Sequence, residues 1–326
     1  MEKNTHLIHP SPEIPYFCPM SSGTVIKSTG SWFTVRTGEG NNVACKIKGN
    51  YRIKGIRATN PVTVGDKVQF TANADGTGMI HTIEERRNYI IRRASNLSKE
   101  YQLVAANVDQ AFLVASLSSP KTFPEFIDRF LVSAEAYSIP TILLFNKSDI
   151  YTDAEREELK ALMDIYTRIG YGCLEVSAKT GLNTQLLRDM MKGRLSVFSG
   201  NSGVGKSTLI NLLDPSLELR TSEISEAHST GKHTTTFSEM FELYFGGYII
   251  DTPGIRGFGL IDFGKDELFH YFPEIFRASH QCRFYNCSHL HEPGCAVTEA
   301  VEKGEISRSR YQSYLSMLED DEEKYR

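Results

Sequence analysis

The chain has 326 residues, 40% of them hydrophobic and 23% charged, with a formal net charge of −4. That length suits two or three domains, and no apolar run approaches the roughly 18–20 residues that cross a bilayer, so no membrane partner is expected. The slight negative balance excludes nucleic-acid binding through bulk charge and leaves any RNA contact to a local basic patch.

Residues 1–19 contain Pro10, Pro12, Pro15 and Pro19 and read as a flexible N-terminal extension. They lack the charged start and long apolar core of a secretory leader, and both Met1 and Met20 are candidate starts. From 20 to 86 short strand-like runs follow: Thr24 to Lys27, Trp32 to Arg36, Asn42 to Ile47, Lys67 to Thr71 and Met79 to Ile83. Glycines and Asp75-Gly76 separate them, the pattern of a small β-barrel. A five-stranded OB-fold is the first expectation and an SH3-like barrel the second. Arg86-Arg87-Asn88-Tyr89 and Arg92-Arg93 then read as a basic linker. It is either a solvated connection or a phosphate contact beside the barrel.

Across 87–264 strand and helix patterns alternate. Gln110 to Ser116 reads as a buried strand and Glu125 to Tyr137 as a helix with Phe126, Phe130 and Leu131 on one side. Pro140 to Phe145 is the next strand, and Ala154 to Ile169 a helix with Leu159, Leu162, Met163 and Tyr166 at helical spacing. Such alternation predicts a mostly parallel α/β sheet covered by helices, with ligand at the carboxyl ends of its strands.

Those strand ends carry the chemistry. Asn146-Lys147-Ser148-Asp149 is an N-K-x-D guanine reader. The Asp149 carboxylate accepts from guanine N1–H and N2–H₂, a donor pair adenine lacks. Asn146 should brace the loop, and the Lys147 stem can lie along the purine. Ser177-Ala178-Lys179 looks like the S-A-K loop, with the Ala178 N–H expected at guanine O6. Gly200-Asn201-Ser202-Gly203-Val204-Gly205-Lys206-Ser207 is a complete P-loop, running into a helix at Thr208. Its N–H groups cradle phosphates, Lys206 reaches the β- and γ-phosphates, and Ser207 ligates Mg²⁺. Gly231-Lys232-His233-Thr234-Thr235-Thr236 is the expected first switch, with one threonine (Thr235 the first choice) on Mg²⁺. Asp251-Thr252-Pro253-Gly254 matches D-x-x-G, with Asp251 near Mg²⁺ through water and Gly254 at the γ-phosphate.

From 265 to 326 the chain reads as a helical zinc-binding domain. Cys282, Cys287, His289 and Cys295 form C-x₄-C-x-H-x₅-C, three thiolates and one imidazole suited to a tetrahedral structural Zn²⁺, with His291 a competing ligand. Six cysteines without a leader point to a reducing cytoplasm and a metal site, not disulfides. So short and polar a segment has little core of its own, and the metal is expected to supply much of its folding energy. Ile306, Tyr311, Tyr314, Leu315 and Leu318 can line one helix face, and Glu319 to Glu323 is a solvated acidic run.

In ordinary small GTPases the P-loop comes first; here it follows both base readers, and D-x-x-G comes last. The order implies circular permutation, which a sheet tolerates when its termini lie close together. The combination of barrel, N-K-S-D, S-A-K-T-G, G-N-S-G-V-G-K-S, G-K-H-T-T-T, D-T-P-G and the Cys/His pattern resembles the RsgA family, small ribosomal subunit biogenesis GTPases also called YjeQ. The likeness runs from Met20 onward. It implies a cytoplasmic GTPase that binds the immature small subunit and its rRNA, is stimulated by that subunit and releases on hydrolysis; a monomer is expected. It also implies one zinc ion and Mg²⁺ with GTP. The competing reading is a GTP-dependent RNA- or protein-binding switch that does not act on the ribosome. A third, an ATPase or small-molecule kinase with a zinc lid, is opposed by Asp149. Ile255 stands where Ras-like enzymes carry the glutamine that orients the attacking water, and His233 is the nearest substitute.

Overall fold

The structure, a computed structural model, describes residues 20–47, 61–93, 101–217, 238–251 and 266–319. The first five strands are β1 (Met20–Ser28), β2 (Phe33–Thr37), β3 (Asn42–Ile47), β4 (Lys67–Ala72) and β5 (Gly78–Ile83). They pair in the ring β1-β2-β3-β5-β4-β1, with β3 and β5 parallel. That closed five-stranded order is the OB-fold expectation, and it removes the free strand edges of an open sheet. Val25, Phe33, Val35, Cys45, Val68, Phe70 and Ile80 alternate inward to fill it.

The basic segment is not a solvated linker. Tyr89–Arg93 is strand β6, paired antiparallel with β7 (Tyr101–Ala106). Arg86 is turned into the fold: Nε and Nη2 donate to the two carboxylate oxygens of buried Asp66 at 2.6 and 2.7 Å, and Nη2 also reaches the Pro61 carbonyl. Its side chain is 9% exposed, so it closes the barrel and presents no charge to a partner. Arg87 pairs with Asp109 at 2.7 Å but stays exposed. The side chains of Arg92 and Arg93 lie outside the described residues, as does the 1–19 extension.

Six strands form the central sheet: β8 (Gln110–Ala115), β9 (Thr141–Phe145), β10 (Gly172–Glu175), β11 (Leu195–Ser199), β12 (Ser238–Glu242) and β13 (Tyr248–Asp251). Their spatial order is β10-β9-β8-β11-β13-β12, parallel throughout except for β12. Period-2 alternation sends Ala111, Leu113 and Ala115 to one face, against Ile127, Phe130 and Leu131 of α1 (Pro124–Ala136) and Leu159, Leu162 and Tyr166 of α2 (Asp153–Ile169). Phe112 and Val114 face Leu187 and Met191 of α3 (Thr184–Met191) and Leu209, Ile210 and Leu213 of α4 (Lys206–Leu213). Both faces are covered, so β8 and β11 are buried along their whole length. The sheet continues into the barrel, where Lys27 and Ser28 of β1 pair with Glu239 and Ser238 of β12.

The C-terminal unit holds α5 (Pro273–Ser279), α6 (Ala296–Glu302) and α7 (Arg308–Glu319). It has more apolar core than its polar sequence suggests. Leu268, Phe272, Ile275, Val297, Ile306, Tyr314 and Met317 pack with Cys287, Cys295 and Val132 of α1. Each such large side chain contributes roughly 1.5–3 kcal/mol when buried, so a metal need not supply the whole folding energy of this unit. The unit docks through Arg310, which is 1% exposed. Its Nη1 donates to Asp128 of α1 at 2.7 Å, and its Nε and Nη2 donate to Glu274 at 2.7 and 3.2 Å. Tyr166 donates to the same Asp128 oxygen at 2.7 Å.

Candidate nucleotide site and metal cluster

Because β8, β9, β10, β11 and β13 are parallel, the chain leaves each of them on one side of the sheet. Asn146, Ser177, Gly200 and Asp251 therefore collect at a single edge, though they lie up to 105 positions apart in the chain. The P-loop spans β11 to α4. Gly200 adopts φ +142°, and a Cβ there would lie 2.2 Å from the Val114 carbonyl of β8. Gly205, at φ +93°, caps α4, and a Cβ there would lie 2.5 Å from Asn146 Nδ2. Lys206 folds back so that Nζ donates to the Gly200 and Asn201 carbonyls at 2.7 and 2.6 Å. Ser207 sits buried in the first turn of α4, Val204 is buried, and Ser202, Gly203 and Thr208 are exposed. The positive end of the helix faces this turn, a position that suits an anion.

Asn146 acts as a clip between loops. Its Nδ2 donates to the Val204 carbonyl at 2.8 Å, and its Oδ1 accepts from the Ala178 N–H at 3.0 Å. The Ala178 N–H, expected at guanine O6, thus donates to Asn146, whose side-chain oxygen lies between the two turns. Ser177 Oγ donates to Asp149 Oδ1 at 2.7 Å, and Lys179 Nζ stands 3.8 Å from Oδ2. Those contacts tie the carboxylate to the 177–179 loop. Lys147 lies in the left-handed region, φ +66°, and its Nζ donates to the Ser119 carbonyl. The loop after β8 that supplies this carbonyl went unread in the sequence. His233, Thr234, Thr235 and Gly254 lie outside the described residues, as does the Asp251 side chain.

The chain also gathers Cys282, Cys287, His289 and Cys295, with all four donor atoms within 4.8 Å of one another. His289 Nδ1 is 3.6 Å from both Cys282 Sγ and Cys295 Sγ, and those sulfurs are 3.9 Å apart. His291 is not in the cluster and is exposed. Burial pushes the Cys287 thiol up to about 12, with Cys295 and Cys282 adding to the effect, and burial lowers the pKa of His289. A neutral imidazole amid buried sulfurs is a donor set that a bound cation would satisfy, because a cation stabilises the thiolates that burial disfavours. The loop is braced from two sides. Glu292 accepts from the N–H groups of Ser288, Leu290 and His291 and from Ser288 Oγ. Tyr311 and Tyr314 of α7 donate to the His289 and Ser288 carbonyls at 2.6 and 3.0 Å. This bracing holds His289 at φ +61°.

The sequence profile of the RsgA GTPase family matches residues 83–261, and that of the RsgA N-terminal domain matches 22–80. The chain belongs to the RsgA GTPase family. It is a GTP-hydrolysing P-loop enzyme, and the Cys/His cluster lies beyond the residues both RsgA profiles match. An RsgA protein of Bacteroides fragilis, named small ribosomal subunit biogenesis GTPase, is 59% identical over 93% of this chain and 98% of its own. One from Flavobacterium johnsoniae with the same name is 52% identical over 94% of this chain and 95% of its own. Among solved structures, YjeQ from Thermotoga maritima superposes with a TM-score of 0.76 at 36% identity, covering 92% of this chain and 98% of that one. YloQ, described as a circularly permuted GTPase, gives 0.72 at 31% identity, covering 93% and 96%. The central domain is therefore a permuted GTPase fold of the RsgA kind.

Proposed function

We propose that the chain binds the small (30S) ribosomal subunit late in its maturation and hydrolyses GTP to GDP and phosphate there, with subunit-stimulated turnover tied to release. One observation carries this reading. The match to relatives named for small-subunit biogenesis leaves too few residues over to omit either the barrel or the Cys/His unit. The units implied are the barrel at 20–86, the GTPase at 87–264 and the metal-holding helices at 265–326. The enzyme works as a cytoplasmic monomer, and the barrel and the C-terminal unit grip rRNA from either side.

At the site, Asp149 reads guanine while the 177–179 loop closes over the base. The 200–207 backbone and Lys206 hold the phosphates, and Lys206 offsets charge that builds on the β–γ bridge. Ser207 and Thr235 would hold Mg²⁺, with Asp251 reaching it through water; the ion supplies charge neutralisation between the phosphates. Ile255 has no group to orient water, so His233 takes that part. In the Cys/His unit the ion is zinc, which supplies structural cross-linking. Cys282, Cys287, His289 and Cys295 would hold it, three sulfur donors and one imidazole gathered within 4.8 Å of one another, a donor set suited to zinc.

The test is GTP turnover with and without isolated small subunits, paired with co-sedimentation. Slow basal turnover, strong stimulation and weaker binding with GDP are expected. Absence of both binding and stimulation would refute the ribosomal reading and leave the GTPase intact.

A further inference from the structure

We propose that Tyr151 is a positioning residue for guanine recognition: its buried hydroxyl ties the N-K-x-D turn to the loop after β8 and so sets where Asp149 and Lys147 meet the base. This rests on the reading of Asp149 as the base reader. Tyr151 follows the motif by two positions and belongs to none of the recognition elements above.

Its side chain is 6% exposed. The hydroxyl lies 2.6 Å from the Asn146 carbonyl and 3.0 Å from the Leu117 amide nitrogen. Proton counting fixes the directions. The carbonyl can only accept and the amide can only donate, so Tyr151 gives its single proton to Asn146 and accepts from Leu117. Ser116 Oγ, 3.3 Å away, spends its own proton on the Ser118 carbonyl at 2.6 Å. One oxygen therefore bridges the ends of two neighbouring parallel strands.

The bridged loop is built to transmit position. Thr122 N donates to the Ser116 carbonyl at 2.7 Å, and Ser116 N donates back to Thr122 Oγ1 at 3.1 Å, which closes the loop on itself. Its tip touches both halves of the nucleotide site. The Ser119 carbonyl takes the Lys147 ammonium, and the Pro120 ring lies against Gly203 of the P-loop, 3.4 Å from where a Cβ would stand. Asn146 in turn holds Val204 and Ala178. Without the hydroxyl, a buried carbonyl and a buried N–H each lose their side-chain partner. The turn carrying Asp149 is then free to shift by the fraction of an ångström that its contact with the guanine 2-amino group cannot tolerate.

The test uses Tyr151→Phe, which keeps the ring and removes one oxygen. Displacement of a fluorescent GDP by GDP and by IDP reads the alignment of Asp149, because the two nucleotides differ only in the 2-amino group. Tyr151→Phe should weaken GDP by roughly tenfold and IDP far less, in line with an unpaired buried polar group, while kcat at saturating GTP stays within about twofold. Thr122→Val, which frees the other end of the same loop, should narrow the GDP-to-IDP ratio in the same direction and decides the matter if Tyr151→Phe does not fold. A folded Tyr151→Phe with the wild-type ratio, even with a lowered Tm, overturns the proposal. Asp149→Asn is run beside it: if that variant also keeps the wild-type ratio, the base is read elsewhere and both the reading and the proposal fall.

Discussion

Replacing Arg310 by methionine should loosen the C-terminal unit from the GTPase, and the loss should be relieved by acid. Arg310 is 1% exposed and supplies three hydrogen bonds of 2.7–3.2 Å to two carboxylates, with its guanidinium 4.6 Å above the Phe272 ring. Methionine keeps much of the packing but strands Asp128 and Glu274 without their counter-charge. Removing one partner of a buried ion pair costs roughly 3–5 kcal/mol, and full burial means little of that is screened. Burial already pushes the pKa of Asp128 up, and Arg310 is the leading influence opposing it. Without Arg310 the folded-state pKa rises further above the unfolded value, so the folded variant takes up protons. Its stability is then retained below the ordinary carboxylate range and lost as pH climbs through the raised pKa. Between the unfolded carboxylate pKa and the raised folded-state one, Asp128 returns up to about 1.4 kcal/mol per pH unit of acidification. Hydrogen exchange in α1 and α7 reads this opening directly, without assuming a two-state transition for a multidomain chain. A penalty below about 1 kcal/mol at pH 7, or one that does not shrink toward pH 5, would refute the account.

Gly205→Ala places a Cβ on Asn146 Nδ2 in a left-handed conformation, so GTP affinity should fall roughly tenfold or more by equilibrium titration; wild-type affinity would mean the P-loop yields more easily than its geometry implies. Cys287→Ala should release the metal on chelation and raise exchange in 282–295, yet leave α5 and α7 folded and GTP affinity within about twofold, because that unit keeps its own apolar core. Metal content equal to wild type would remove Cys287 from the ligand set. His233→Ala should lower subunit-stimulated kcat far more than basal kcat with little change in GTP affinity; unchanged stimulated turnover would reassign the water-orienting role.

The fold was legible where burial imposes a period. Gln110 to Ser116 read as a strand because both faces of β8 are covered, which leaves a short, mostly apolar run. The hairpin at β6 and β7 was missed because four arginines around Tyr89-Ile90-Ile91 masked a short strand, and the partner that neutralises Arg86, Asp66, lies 20 positions upstream. Arg310 was unreadable for the same reason: in a polar helix it looks like any surface arginine, while its partners sit 182 and 36 positions away. The nucleotide motifs were legible because each keeps its chemistry within a few consecutive residues. Tyr151 was not, because the loop it grips begins 35 positions earlier and on another strand.

The permuted motif order and the intact site follow from one property of this sheet. In space β11 lies between β8 and β13, so the P-loop is central whichever motif comes first in the chain. Starting the domain at β8 removes the link that would run from β13 back to β8 and replaces it with the passage from β10 through α3 to β11. No strand changes neighbours and no parallel strand reverses, so every motif stays on the same edge. What changes is what the ends of the domain are joined to. The chain beyond Asp251 runs on toward the Cys/His unit instead of to another sheet strand, and the antiparallel strand β12 pairs with β1 of the barrel. The exposed Lys27–Glu239 and Arg36–Glu242 pairs at that seam contribute little energy each. The short backbone pairing of Lys27 and Ser28 with Glu239 and Ser238 joins the barrel to the sheet, while the buried Arg310 joins the C-terminal helices to α1.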